Sequence, residues 1–177
     1  KTGYHDLWDR WKHKPLLHYA GKLFKGAGYE ILKVSYGSFP TGEGGEDTMR
    51  IKAGHAVQKS IEALSSAELE GFDRVVFIGK SIGTYAALKY KKEKCVGAEC
   101  ILLTPLLQSL EYSSSGEPAF HGTNDPWVNT DELKAQCQRY KIPVTVFENA
   151  NHSLETGDTS RDIEILKSVI GEVNRIL

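Results

Sequence analysis

Several things are scarce in this sequence, and each scarcity removes a class of protein. There are three cysteines, Cys95, Cys100 and Cys137, with no CxxC pair and no zinc-ligand spacing. A disulfide framework and a zinc module are therefore not expected, and reduced thiols in a cytoplasmic protein are. Neither charge dominates: 22 basic residues face 23 acidic ones, for a net charge of −1. That balance gives no electrostatic footprint for nucleic acid or for an anionic membrane surface. No apolar run approaches the roughly 20 residues of a bilayer-spanning helix, and there is no secretory signal pattern. The sole methionine is Met49. Lys1 is thus not an initiator, and the expectation is that residues ahead of it were processed off or lie outside this sequence. Internal repeats and linkers are missing too, since Ser113-Ser114-Ser115-Gly116 is only a short polar loop.

What remains is 177 residues, 40% hydrophobic and 25% charged, the size and composition of one globular domain spanning 1–177. Its hydrophobic pattern alternates between two periods. Leu16, Leu17, Ala20, Leu23 and Phe24 recur at helical spacing and stop at Gly26 and Gly28. Tyr29 to Tyr36 reads as a strand, and the glycine-rich stretch 37–45 with Pro40 as a loop. A second helix, capped by Asp47 or Thr48, carries Ala53, Ala56, Val57, Ser60, Ile61 and Leu64 on one face. Arg74 to Ile78 is short and almost wholly apolar, as suits a strand of a parallel sheet covered on both sides. Helix is expected over 82–92, strand over 100–104, a weaker strand over 118–121, helix over 130–140, strand over 144–147 and helix over 158–177. Strands alternating with helices predict an α/β fold, a doubly wound, mostly parallel sheet with helices on both faces. Residues 1–13, with Trp8 and Trp11 among charges, fit no element clearly.

The chemistry centres on Gly79-Lys80-Ser81-Ile82-Gly83, which follows an apolar strand and opens a helix. A Gly-x-Ser-x-Gly run in that context is a nucleophile elbow. The turn is tight enough to strain the serine backbone, and its neighbours must be small. The helix that follows aims free N–H groups at the reaction site. Gly79-Lys80-Ser81 also looks like the end of a phosphate-binding loop, but such a loop needs a glycine five positions before Gly79, and Arg74 stands there.

A serine hydroxyl needs a base, and the base needs an acid to orient it. Asp125 follows the strand through Phe120, in His121-Gly122-Thr123-Asn124-Asp125-Pro126, and His152 follows the strand through Phe147, in Asn149-Ala150-Asn151-His152-Ser153. Asp125 could instead simply start a turn, and His152 could be a satisfied loop histidine. Glu148, at a strand end, is the substitute acid, and Asp131 is also near. His121 is expected to pack or hydrogen-bond beside the acid turn rather than act as base. His5, His13, His18 and His55 default to surface or structural roles.

Gly122-Thr123-Asn124-Asp125 is similar to the Gly-Thr-x-Asp turn that carries the acid in many α/β-hydrolases, and 149–153 to their histidine loop. With the elbow, these motifs make the chain resemble a small member of the α/β-hydrolase superfamily. The resemblance implies a triad of Ser81, Asp125 and His152. It implies an oxyanion hole of the Ile82 N–H and a second donor from an early glycine loop, for which Tyr4, beside Gly3 and His5, is the candidate. The superfamily has a hydrophobic strand immediately before this loop, and this sequence begins too late to contain it, so either that strand was not included or the sheet is smaller, a compact, minimal version of the fold. Only Pro105 to Glu117 separates two strands where many relatives insert a lid, so an open, shallow site is expected. Tyr36, Phe39, Leu106, Trp127 and Leu154 follow strand ends or flank the triad and are candidates to line an acyl pocket, with ordinary packing as the alternative. No metal or cofactor motif is present, so no cofactor is expected. The implied activity is hydrolysis of a small carboxylic ester through an acyl-enzyme on Ser81. The alternatives are a thioesterase or acyltransferase with the same triad, or a non-catalytic binding module on a hydrolase scaffold.

Overall fold

The computed structural model describes residues 15–40, 46–67, 69–94 and 97–177. Gly3, Tyr4, His5, Trp8, Trp11, His13, Cys95 and the tip of the glycine-rich loop lie outside these residues. The described elements are helices α1 (Pro15–Gly26) and α2 (Glu46–Ser65), strand β1 (Val76–Lys80), helix α3 (Ile82–Lys94), strands β2 (Glu99–Leu103) and β3 (Ala119–Gly122), helix α4 (Thr130–Arg139), strand β4 (Val144–Phe147) and helix α5 (Thr159–Asn174). The strands form one parallel sheet in the order β1-β2-β3-β4.

The side-chain alternation of β2 shows how the layers arise. Successive residues of a strand point to opposite faces. Ile101 and Leu103 enter one cluster with Leu16, Ala20 and Phe24 of α1 and Ile165, Val169 and Val173 of α5. Cys100 and Leu102 enter the other, with Leu88 of α3, Leu110, and Leu133 and Cys137 of α4. β2 is apolar throughout because both of its faces are covered. A third, smaller cluster joins Ala56 and Val57 of α2 to Ala86 of α3, with Tyr36 and Phe39 against it. Helices thus cover both faces of the sheet, as the alternating pattern predicts. Two helices carry side-chain N-caps. Asn129 accepts from the N–H groups of Asp131 and Glu132, and Asp158 from that of Arg161.

Two expectations are corrected. Residues 29–36 carry no ladder. An extended segment becomes a strand only by pairing, and no described segment pairs with this one. Ile31 and Leu32, which would face a core, are 39% and 51% exposed. The strand leading to the elbow starts at Val76, two residues late, although Val75 O already accepts from the Glu99 N–H at 3.0 Å, and what precedes it is anchored through the side chain of Arg74. Its guanidinium pairs with Glu99 at 2.7 Å and bonds the Tyr29 hydroxyl at 3.0 Å and the carbonyls of Ile176 and Leu177. Residues 107–112, between β2 and β3, form a 3₁₀ turn whose Leu110 is buried beside α3 and α4. Among the described residues, no helix is long and apolar enough to cross a membrane.

Candidate active site

Ser81 is the residue between the last residue of β1 and the first of α3. Its φ is +53°, a left-handed conformation that non-glycine residues adopt at a cost. Local bonds hold it there. The Ser81 N–H extends the ladder to Leu103 O at 3.0 Å, and the Ser81 carbonyl accepts from the Thr84 N–H at 2.9 Å and the Thr84 hydroxyl at 2.6 Å. The flanking glycines have separate reasons to be glycine. A Cβ on Gly79 would lie 2.6 Å from Gly83 O, inside backbone that cannot yield, and one on Gly83 would meet the Tyr36 hydroxyl at 3.3 Å. The elbow is therefore sterically specified at both ends. Ile82 opens α3, so its N–H is among the first-turn donors left without a helical acceptor.

Asp125 sits on the turn after β3. The side chain is fully buried, with its own N–H on Gly122 O at 3.1 Å. One carboxylate oxygen, Oδ1, accepts from the Trp127 N–H at 2.9 Å, and the other, Oδ2, lies 2.7 Å from His152 Nδ1. The loop carrying His152 is laced to the acid turn along its backbone. Thr123 N–H donates to Phe147 O, Asn124 N–H to Ala150 O, and Asn149 N–H to the Thr123 hydroxyl. Gly122 makes this approach possible, because a Cβ there would be 2.2 Å from Ala150 O. Within the loop, the Asn151 side chain accepts from the N–H groups of Ser153 and Glu155. The His152 side chain is 20% exposed, so the ring is mostly covered but still reached by solvent.

The structure thus brings Asp125 and His152 into contact, with Ser81 on its elbow. No hydrogen bond from the Ser81 hydroxyl to His152 occurs among the described residues; such bonds commonly tighten only when substrate is bound. Glu148 does not take the place of Asp125, since its carboxylate is exposed and receives only the Thr123 hydroxyl at 3.4 Å. Asp131 belongs to the first turn of α4. Tyr4, the candidate second oxyanion donor, lies outside the described residues.

The five pocket candidates separate. Trp127 is 65% exposed, and its ring centroid is 6.3 Å from that of His152. Tyr36 and Phe39 pack on each other and on α2, with the Tyr36 carbonyl 2.6 Å from His55 Nε2. Burial raises the Tyr36 hydroxyl above its ordinary pKa, against a lowering bond with Ser60. Leu106 and Leu154 are core residues, packed into the α3–α4 and α1–α5 clusters respectively. Both fit the alternative of ordinary packing, since neighbourhood in sequence does not say which way a side chain turns.

Two further residues lie close to Asp125 and His152: Lys80, to which the sequence assigned no role, and His121, expected to pack or hydrogen-bond beside this turn. The Lys80 ammonium donates to His152 O at 2.7 Å and approaches the Thr104 hydroxyl at 3.4 Å, tying the elbow to the histidine loop. Its signal in the sequence is only its place beside Ser81. His121 is fully buried, with Nε2 3.0 Å from the Thr130 hydroxyl and Nδ1 3.8 Å from Asp125 Oδ2. Among the described residues no group of three or more His, Cys, Asp or Glu side chains could hold a metal.

No family model matches the sequence, and no curated protein matches it either. Solved structures do resemble it. An α/β serine hydrolase homologue from Coxiella burnetii superposes with a TM-score of 0.62 at 15% identity, over 90% of this chain and 76% of that one. A protein of unknown function from Agrobacterium tumefaciens, described as an α/β hydrolase, gives 0.67 at 14%, over 92% and 77%. A lidless α/β serine hydrolase from Xanthomonas campestris gives 0.55 at 14%, over 93% and 75%. With its parallel sheet, its helices on both faces and its serine elbow at the end of β1, this chain has the α/β-hydrolase fold.

Proposed function

We propose that the chain is a serine hydrolase that cleaves a small carboxylic ester through an acyl-enzyme on Ser81. The observation that carries this reading is the 2.7 Å contact between Asp125 Oδ2 and His152 Nδ1, made across two loops that follow adjacent strands. A carboxylate there selects the tautomer with the proton on Nδ1 and leaves the Nε2 lone pair free as a base.

In the reaction, Ser81 Oγ attacks the ester carbonyl while His152 Nε2 takes the hydroxyl proton. The oxyanion receives the Ile82 N–H and, from the Gly3–Tyr4 region, a second donor. Collapse of this intermediate breaks the bond to the alcohol, which leaves with the proton from His152. Water then attacks the acyl-enzyme, gives its proton to His152, and the collapse that follows returns that proton to Ser81 Oγ and frees the acid. Asp125 stays ionised throughout and stabilises the imidazolium. The exposed indole of Trp127 is the apolar surface beside the base, so it contacts the substrate. Among the described residues only a 3₁₀ turn, Leu107–Tyr112, lies between β2 and β3, in keeping with a small substrate. Cys100 and Cys137 are both buried.

A panel of p-nitrophenyl esters from acetate to octanoate tests the reading. Turnover of the short esters, lost in Ser81→Ala, is expected. A folded protein with no turnover of any ester, or equal turnover by Ser81→Ala, would remove it. Transfer of the acyl group to added thiol or amine in preference to water would redirect it to an acyltransferase.

A further inference from the structure

The buried imidazole of His121 stands near the same carboxylate oxygen of Asp125 that His152 contacts. It is fully enclosed, and Nδ1 has no hydrogen-bond partner. That orphan atom is 3.8 Å from Asp125 Oδ2, the oxygen that receives His152. A buried polar atom left unpaired is costly, so its orientation calls for a physical cause.

There are two neutral arrangements. If the proton is on Nε2, it is donated to the Thr130 hydroxyl, and the Nδ1 lone pair faces a buried carboxylate. That sets negative against negative where solvent does not screen it. If the proton is on Nδ1, the N–H dipole points at Oδ2, and Nε2 accepts from Thr130. The Thr130 hydroxyl can rotate to donate, because a hydroxyl serves in either sense. The second arrangement satisfies Nε2 equally well and turns the repulsion into attraction. At 3.8 Å the contact with Oδ2 is longer than a good hydrogen bond and acts mainly through charge and dipole.

We propose that His121 is a positioning residue for Asp125, held as the neutral Nδ1–H tautomer with that N–H turned to Oδ2 and with Nε2 accepting the Thr130 hydroxyl. The proposal rests on the reading of Asp125 and His152 as acid and base. Its role is to add the dipole of an uncharged N–H to the donors that the carboxylate already has in Trp127 and His152, so that the ion is held toward His152 without being neutralised. Three groups act on the His121 ring: Asp125 from its own turn, His152 from the facing loop, and Lys134 from α4. Burial holds its pKa below the ordinary histidine value, with Asp125 opposing and His152 and Lys134 adding to the depression. His121 therefore stays neutral while His152 cycles. A charged His121 would compete with His152 for Oδ2, and burial prevents it.

Long-range proton–nitrogen NMR of the histidine side chains at neutral pH, assigned with His121→Asn, tests the tautomer. The expected signature is a neutral Nδ1–H ring, in wild type and equally in Ser81→Ala, which needs no turnover. An Nε2–H ring, or a cation, would overturn the proposal whatever the fate of the hydrolase reading. Kinetics test the role. Asn places its amide near the Nδ1 position and Gln near Nε2. With a p-nitrophenyl ester, His121→Asn is expected to keep kcat within about threefold, and His121→Gln to lose about tenfold at unchanged KM. In His121→Gln the undispersed carboxylate charge should also move the acid limb of the pH–rate profile to higher pH. Equal losses in both variants with an unmoved acid limb would mean that His121 only fills space.

Discussion

The Lys80 ammonium, one residue before the proposed nucleophile Ser81, is hydrogen-bonded at 2.7 Å to the backbone carbonyl of His152, the proposed base. The strand that presents the serine thus also holds the loop that presents the imidazole. A bond to a charged donor contributes about 1.5–3 kcal/mol. Lys80→Met is expected to lower kcat by about tenfold to a hundredfold with little change in KM, and Lys80→Arg to recover part of the loss. Steady-state kinetics on a short p-nitrophenyl ester measure both. An unchanged kcat in Lys80→Met would show that the histidine loop needs no such tether.

Gly122 allows the acid turn to lie against the histidine loop, with the position of a would-be Cβ 2.2 Å from Ala150 O. Gly122→Ala should push the two loops apart. The expected loss is about 2 kcal/mol of stability, as for overpacking of a tight site. For a chain of this length that corresponds to a fall in Tm of about 4–8 °C. Activity should drop further than stability, because the displaced loop takes His152 off Asp125. Thermal melts paired with kinetics separate the two effects.

Asp125→Asn keeps the shape of the acid but presents an amide that no longer selects the required His152 tautomer. The expected fall in kcat is about 10⁴-fold. Its Tm should change much less than its rate. Retention of most activity would transfer the role of acid elsewhere, and Glu148 would be the next residue to substitute.

Glu117 makes a prediction about pH and stability away from the site. Its side chain is 2% exposed and lies 2.8 Å from the Lys91 ammonium. Burial alone would raise its pKa, but bonds from Lys91, Ser113 and Ser114 outweigh burial and hold the carboxyl below its ordinary value. A depressed carboxyl contributes stability that is present above the unfolded pKa and is lost as pH falls through the folded one. Glu117→Gln should therefore be less stable than wild type by about 2 kcal/mol at pH 7. That difference should shrink once pH falls below about 4.3, the ordinary glutamate value. Urea titrations at pH 7, 5 and 3.5 would show it, and a difference independent of pH would contradict it.

Much of this architecture can be read from the sequence, for physical reasons. The apolar run Cys100–Leu103 of β2 is that of a strand buried on both faces, and the stripes of α1 and α5 sit at helical spacing. The order of serine, acid and histidine survives in one dimension because each follows a strand. Other features do not project onto the sequence. Ile31, Leu32 and Val34 have the composition of a strand, but whether a strand forms depends on a partner elsewhere, and none pairs with 29–36 among the described residues. Leu106 and Leu154 lie near triad residues in sequence, yet their side chains turn into the core. The relation of His121 to Asp125 depends on burial and on the rotamer of Thr130, which residue identity does not encode. Trp127, by contrast, is exposed beside His152, where its place next to the acid turn suggests it should be.

The most direct test of the central claim is covalent labelling of the folded protein with a fluorophosphonate, the adduct being located by peptide mass spectrometry. The account predicts a single adduct on Ser81, absent from Ser81→Ala and formed far more slowly by His152→Ala. A well-folded protein that takes up no label, or takes it up on another residue, would contradict it.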